Sequence, residues 1–371
     1  MILLTDGEVY APEPLGRADL LVAGGRVVAL APHLDPPPRS WEVEVHDLRG
    51  ARVVPGLVDG HVHVTGGGGE AGPATRVAPL AAAALAGAGV TTVVGVLGTD
   101  GTTRTMRDLL AQTYALREQG LSAFCMTGGY EVPPPTLTGN VRDDIVFLEP
   151  VVAIGEVAVS DHRSSQPTVA ELARLAAHAH VAGLISGKAG LLHLHMGDGA
   201  RGLAPVRTIL DETELPARTF HPTHVNRNPR LFAEAQELMA RGVTVDVTAD
   251  DDAAGALLAL AAAGLPWERV TVSSDAGGSI PTFDADGRMV SMEVGSAATL
   301  LATLAALVRR GLPLERALRP FTANPARLFR FARKGRIAAG ADADLLVLEP
   351  AGGVRAVMAR GRFLVRDGGA R

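Results

Sequence analysis

Cysteine and lysine are almost missing from this 371-residue chain, which has Cys125 alone and two lysines, Lys188 and Lys334. A single cysteine excludes an internal disulfide. Long apolar runs are also missing. Ala78–Val90 and Ala253–Pro266 are the longest, and both are too short and too rich in alanine and glycine to span a bilayer. Met1 to Glu8 carries Asp6 inside its apolar stretch and has no basic region ahead of it, unlike a signal peptide, so a cytoplasmic location is expected. Nor is there a basic surplus: 35 basic residues face 40 acidic ones, a net charge of −5 spread along the chain. That balance argues against nucleic acid or an anionic membrane as partner. What remains is a large α/β protein, 47% hydrophobic and long enough to bury an ample core.

Residues 1–50 read as short strands and turns, and the tail repeats that texture at Asp344–Leu348, Ala356–Met358 and Arg362–Val365. Neither end has enough strands to bury a face alone. The ends, 1–54 and 335–371, are therefore expected to pair into one small β-sandwich. Between them, in 55–334, the period changes. Eight apolar or β-branched runs stand at 53–64, 90–98, 121–130, 152–160, 191–196, 218–225, 243–249 and 270–275. Helix-like stretches follow most of them, such as Thr168–Ala182, Pro229–Ala240 and Met292–Arg309, with a capping-box spacing at Thr168 and Glu171. Eight alternations predict an α/β fold, a (β/α)8 TIM barrel. An open doubly wound sheet is the alternative, but no Gly-x-Gly-x-x-Gly follows the early strands.

A barrel carries its chemistry at the C-terminal ends of its strands. Run one ends in His61-Val62-His63, which share one face of a strand. His178-Ala179-His180 has the same spacing in a helical pattern, where the two side chains diverge, and reads as a surface or packing feature. Run four places Glu156 in a strand otherwise fit for complete burial, where a carboxylate needs a metal or an arginine. Run five carries His193 and His195, and run six His221 and His224. The later histidine of each pair is the better ligand candidate, and the earlier one suits the core or contact with a ligand. Run eight ends in Asp275, which suits a ligand, a base or a helix cap. Four histidines and two carboxylates at five strand ends are the complement of a two-metal hydrolytic centre.

These residues resemble the amidohydrolase superfamily over nearly the whole chain. Pro55-Gly56-Leu57-Val58-Asp59-Gly60-His61-Val62-His63 is similar to its first barrel motif, and Gly340-Ala341-Asp342-Ala343-Asp344-Leu345 to its return into the sandwich. Within it, four longer stretches resemble the isoaspartyl (β-aspartyl) dipeptidase family: 66–73, Ser160-Asp161-His162-Arg163-Ser164, His195-Met196-Gly197-Asp198 and 222–228. The resemblance implies two divalent metal ions, zinc by preference. His61 and His63 would hold one with Asp275, and His195 and His224 the other, with a carboxylate and a hydroxide between them. It implies Glu70 on the substrate's α-ammonium, Arg163 and Arg227 on its carboxylate, Tyr130 on the scissile carbonyl, and Thr99 and Ser279 as further substrate contacts. It also implies a homo-oligomer. Where the family usually carboxylates a lysine, this chain has Glu156, and neither lysine sits at a strand end. Either Glu156 bridges two metals, the favoured reading, or a single metal binds.

The expected reaction is hydrolysis of a β-aspartyl dipeptide by the bridging hydroxide, with Asp275 as general base and then acid. The rival readings are a cyclic amidohydrolase of the dihydroorotase or hydantoinase kind and a non-catalytic scaffold of the same fold. Each substrate residue also has a structural alternative: Glu70 as a solvated loop residue, Arg163 paired with Asp161, Tyr130 as aromatic packing.

Overall fold

The computed structural model describes residues 1–38, 40–284, 289–349, 352–366 and 369–370. Residues 39, 350–351, 367–368 and 371 of the expected sandwich segments therefore lie outside the described residues. The chain opens with β1 (Ile2–Tyr10), β2 (Pro14–Ala23), β3 (Arg26–Ala31), β4 (Glu44–Asp47) and β5 (Arg52–Pro55). Eight strands follow: β6 (Leu57–Val62), β7 (Val90–Gly95), β8 (Ser122–Thr127), β9 (Val151–Val159), β10 (Leu192–Met196), β11 (Phe220–Thr223), β12 (Val245–Thr248) and β13 (Val270–Ser273). An antiparallel pair, β14 (Ser279–Phe283) and β15 (Met289–Val294), precedes β16 (Leu345–Leu348), β17 (Val354–Ala359), β18 (Arg362–Arg366) and β19 (Gly369–Ala370).

Strands β6 to β11 form one parallel sheet in chain order, and β12 pairs with β13. The two sheets close on each other. Thr223 Oγ1 donates to Asp246 Oδ2 at 2.7 Å between β11 and β12, and a parallel bridge joins Val62 to Ala276 beyond β13. Sequential neighbours with closure make a (β/α)8 barrel; a doubly wound sheet would reverse its strand order. Burial on both faces explains the sequence of strands such as Val90-Thr91-Thr92-Val93-Val94-Gly95, which are apolar or β-branched without alternation. Two of the helices between are opened by capping boxes, at Thr105/Asp108 and Thr168/Glu171.

The ends form one nine-stranded sheet in which β5 pairs with β1 on one side and β16 on the other. Leu4, Leu20 and Val27 from the start share an apolar cluster with Val347, Ala356 and Met358 from the end. Each end thus buries the face the other needs. One expectation is corrected. The stretch Met292–Arg309 is not a single helix: Met292–Val294 belongs to β15, paired with β14, and the helix is Ala298–Arg309. The backbone hydrogen bonds of that hairpin outweigh the helical spacing of its apolar residues.

Both lysines hold the fold. Lys188 Nζ donates to the carbonyls of Ile145, Leu148 and Val151 at 2.5, 2.6 and 3.0 Å, which closes the end of the helix Val141–Phe147. Lys334 Nζ is buried against Asp342 at 2.9 Å and Asp344 at 2.7 Å.

Candidate active site

His61 lies on β6 and His63 follows it directly, Glu156 is on β9, His195 on β10, and His224 and Asp275 follow β11 and β13. All open on the C-terminal side of the barrel. Glu156 Oε1 lies 3.3 Å from His63 Nε2, and Oε2 lies 3.4 Å from His61 Nε2 and 3.2 Å from His195 Nδ1. Asp275 Oδ1 stands 3.0 Å from His63 Nε2 and 3.4 Å from His61 Nε2. Two groups of metal-competent atoms result, His61–His63–Glu156 and Glu156–His195–His224, with Glu156 common to both.

A metal fits this donor set. Around a tetrahedral ion with bonds of about 2.0–2.1 Å, neighbouring donor atoms stand about 3.3 Å apart. His61 Nε2 and His63 Nε2 are 3.4 Å apart, and both lie within 3.4 Å of Glu156. Two carboxylate oxygens, Glu156 Oε1 and Asp275 Oδ1, are buried without a hydrogen-bond partner among the described residues, as is expected of atoms that face a cation. The electrostatics agree. Burial disfavours the imidazolium of His61, but Glu156 and then Asp275 outweigh it and raise its pKa to about 9. Asp275 is held well below the ordinary carboxylate range: burial opposes ionisation, and His61 and His63 overcome it. His224 and Asp275 both take left-handed backbone, with φ of 59° and 54°, a sparsely populated region that concentrates at functional sites.

The remote nitrogens of three histidines are held in turn. His61 Nδ1 meets His193 Nε2 at 2.7 Å, His195 Nε2 meets Asp161 Oδ2 at 3.1 Å, and His224 Nδ1 meets Thr248 Oγ1 at 2.7 Å. Such partners fix the tautomer and the ring orientation. His193 continues to His221 at 2.9 Å, then His221 to Thr271 at 2.9 Å and Thr271 to Asp246 at 2.6 Å, a buried chain across β10 to β13. Burial and histidine neighbours hold His193 well below its ordinary pKa, and burial lowers His221 to about 4. Both rings are therefore neutral. Asp161, Thr248 and Asp246 escaped the sequence reading. Asp161 was weighed there only as a pairing partner for Arg163, and Thr248 ends a strand that offered no ligand.

The substrate candidates gather beside the histidines. Glu70 follows the glycine run after β6, and its Oε1 accepts from Ser279 Oγ at 2.8 Å and Thr99 Oγ1 at 3.4 Å, with Arg163 Nη1 at 3.6 Å. Its other oxygen, Oε2, is buried with no hydrogen-bond partner among the described residues. The glycines are needed because a Cβ on Gly66, at φ 76°, would stand 2.1 Å from the Val77 carbonyl oxygen. Buried Arg104, another residue the sequence reading passed over, pins this loop through the carbonyls of Gly67, Gly68 and Val77 at 2.6, 3.1 and 3.2 Å. Arg163 is chelated by Asp161 through Nε at 3.0 Å and Nη2 at 2.9 Å, the pairing the sequence left open. Nη1 is the guanidinium nitrogen that turns toward Glu70. Tyr130 is buried with its hydroxyl 2.8 Å from His195 Nδ1, and burial, then Glu156, push its pKa well above the ordinary value. Arg227 stands apart on the exposed side, 3.9 Å from Asp198.

A family profile described as Amidohydrolase family matches residues 52–364. The chain belongs to the amidohydrolase family. A solved β-aspartyl dipeptidase from the thermophilic keratin degrader Fervidobacterium islandicum AW-1, in complex with β-Asp-Leu dipeptide, superposes with a TM-score of 0.95 at 40% identity, covering 100% of this chain and 98% of that one. Allantoinase of Streptomyces avermitilis is 26% identical over 94% of this chain and 86% of its own length. Imidazolonepropionase of Anaeromyxobacter sp. is 28% identical over 82% of this chain and 77% of its own. This amidohydrolase has histidine and carboxylate clusters able to hold metal. Among the described residues no helix is long and apolar enough to cross a membrane.

Proposed function

We propose that this amidohydrolase is a metal-dependent dipeptidase that cleaves the isopeptide bond of β-aspartyl dipeptides. The observation that carries the reading is Glu70 Oε2, a buried carboxylate oxygen without a hydrogen-bond partner beside Arg163. An anion and a cation side by side suit a zwitterionic aspartyl group, whose α-ammonium meets Glu70 and whose α-carboxylate meets Arg163 and Arg227. The likeness to a β-aspartyl dipeptidase solved with β-Asp-Leu supports the same class.

In this reading His61, His63 and Asp275 would hold one divalent ion, zinc by preference, and His195 and His224 a second, with the Glu156 carboxylate able to serve both groups. Such ions would supply Lewis acidity, which makes hydroxide available near neutral pH and favours attack on the side-chain carbonyl. Asp275, ionised by its surroundings, accepts the proton released as the new C–O bond forms. It then gives that proton to the leaving amine as the C–N bond breaks, yielding aspartate and the second amino acid. Tyr130 keeps its proton and donates to the developing oxyanion. Thr99 and Ser279 orient Glu70. The proposal includes a homo-oligomer in the cytoplasm, and the domain limits 1–54 with 335–371 around 55–334.

The test is a substrate panel on metal-loaded enzyme: β-Asp-Leu, α-Asp-Leu, dihydroorotate and allantoin. Turnover of β-Asp-Leu alone is expected. Turnover of a cyclic amide alone would replace the proposal with a cyclic amidohydrolase, and no turnover at all would favour a scaffold.

A further inference from the structure

A second concave site opens at the other end of the barrel. The four residues that immediately precede β10, β11, β12 and β13 line it, and its volume is about 340 Å3. Four guanidinium groups surround it, those of Arg218, Arg269, Arg327 and Arg330, against the single acidic residue Glu268. None of the four forms an ion pair with a carboxylate among the described residues. They turn instead to main-chain oxygens. Arg269 Nη1 donates to Gly242 O at 2.5 Å, Arg330 Nη1 to Gly183 O at 3.3 Å, and Arg327 to the carbonyl of Glu268. Arg218 donates no hydrogen bond among the described residues.

Carbonyl dipoles orient these groups, and Glu268 offsets part of the charge at Arg327 alone, which leaves a positive surplus. The surplus acts on its neighbours. His180, which lines the same cavity, is held below its ordinary pKa by burial and then by Arg218 and Arg330. Thr219 on the cavity wall is only 2% exposed, and its hydroxyl is buried behind the wall. Like charges that converge on one cavity repel each other, and an anion held there would offset that repulsion.

We propose that this pocket binds a phosphate group, free or carried on a small organic body. A planar carboxylate accepts one guanidinium fork, whereas a tetrahedral dianion offers enough oxygens for several guanidiniums. The cavity lies at the lower end of the range of small-molecule sites, about 300–1,000 Å3. That exceeds phosphate alone and favours a phosphomonoester. The site is independent of the hydrolytic reading, because it stands at the opposite ends of the strands.

Calorimetric titration of metal-loaded protein with inorganic phosphate and with glycerol 3-phosphate tests this, in the wild type, Arg218→Gln, Arg218→Gln/Arg330→Gln and Arg227→Gln. Both pocket variants should bind at least tenfold more weakly, and Arg227→Gln should bind as the wild type does. Tighter binding of glycerol 3-phosphate identifies an ester as the ligand, and equal binding identifies free phosphate. Unchanged affinity in the pocket variants, or loss confined to Arg227→Gln, would overturn the proposal. Arg218→Gln removes no hydrogen bond of the described fold, so an unchanged melting midpoint without phosphate separates lost binding from lost structure.

Discussion

Glu156 Oε2 lies 3.2 Å from His195 Nδ1. The same carboxylate reaches His61 and His63, and so joins the two histidine groups without a modified lysine. A carbamate must be built from lysine and CO2, whereas a glutamate is a carboxylate as synthesised. Protein stripped of metal should therefore recover full metal content and activity from zinc in CO2-free buffer. A requirement for bicarbonate would refute this. Glu156→Gln should lose metal and lower kcat/KM by at least about 100-fold, since an amide is a poor bridge.

Tyr130→Phe separates oxyanion stabilisation from aromatic packing. The ring is kept and only the hydroxyl goes. The expected result is a fall in kcat of about 100- to 1,000-fold at unchanged metal content. A change confined to melting temperature would return Tyr130 to packing.

The chain from His61 through His193, His221 and Thr271 to Asp246 predicts an effect at a distance. Thr271→Val removes the hydroxyl that joins His221 to Asp246, leaving every proposed ligand in place. Metal affinity, measured by competition with a chelator, should fall by about 10-fold or more. Identical affinity would show that the His61 ring needs no such support.

Lys334 is a structural counterpart to the active-site carboxylates. Replacing it with methionine leaves Asp344 and Asp342 without their buried ammonium. The expected loss in urea unfolding is about 3–5 kcal/mol. A loss below about 1 kcal/mol, the worth of an exposed pair, would contradict its role as a buried anchor.

Cys125 should be inert. It is fully buried, and burial pushes its thiol pKa to about 12. A raised pKa favours the neutral thiol, so the reactive thiolate is scarce throughout neutral pH and appears only near the raised value. A disulfide reagent at pH 8 should label unfolded protein and leave the native protein untouched. Rapid native labelling would show that the site opens.

Much of the fold was legible because its signals are local. Each of the eight apolar runs contains a barrel strand, since a strand buried on both faces must be continuously apolar or β-branched, although the first run, 53–64, begins in β5 of the terminal sheet. Met292–Val294 misled because apolar residues at helical spacing also suit a hairpin, and pairing with β14 decided between them. The gathering of His61, His63, Glu156, His195, His224 and Asp275 followed from their places at strand ends, because a closed barrel brings all such ends to one rim.

The scarcity of lysine and the position of Glu156 were matters of sequence alone. They led to the expectation, drawn from a family resemblance, that an unmodified carboxylate stands in place of a carboxylated lysine. What holds that site together was a tertiary matter. His193 meets His221 because those positions are in register on adjacent strands, and Asp161 reaches both His195 and Arg163 across a turn. The arginine pocket likewise draws on residues from 180 to 330, which no spacing rule connects. Side-chain identity fixes what each group is able to do. Only the register and closure of the strands decide which groups lie within a bond length, and hence which charges are paired and which are left to meet a ligand.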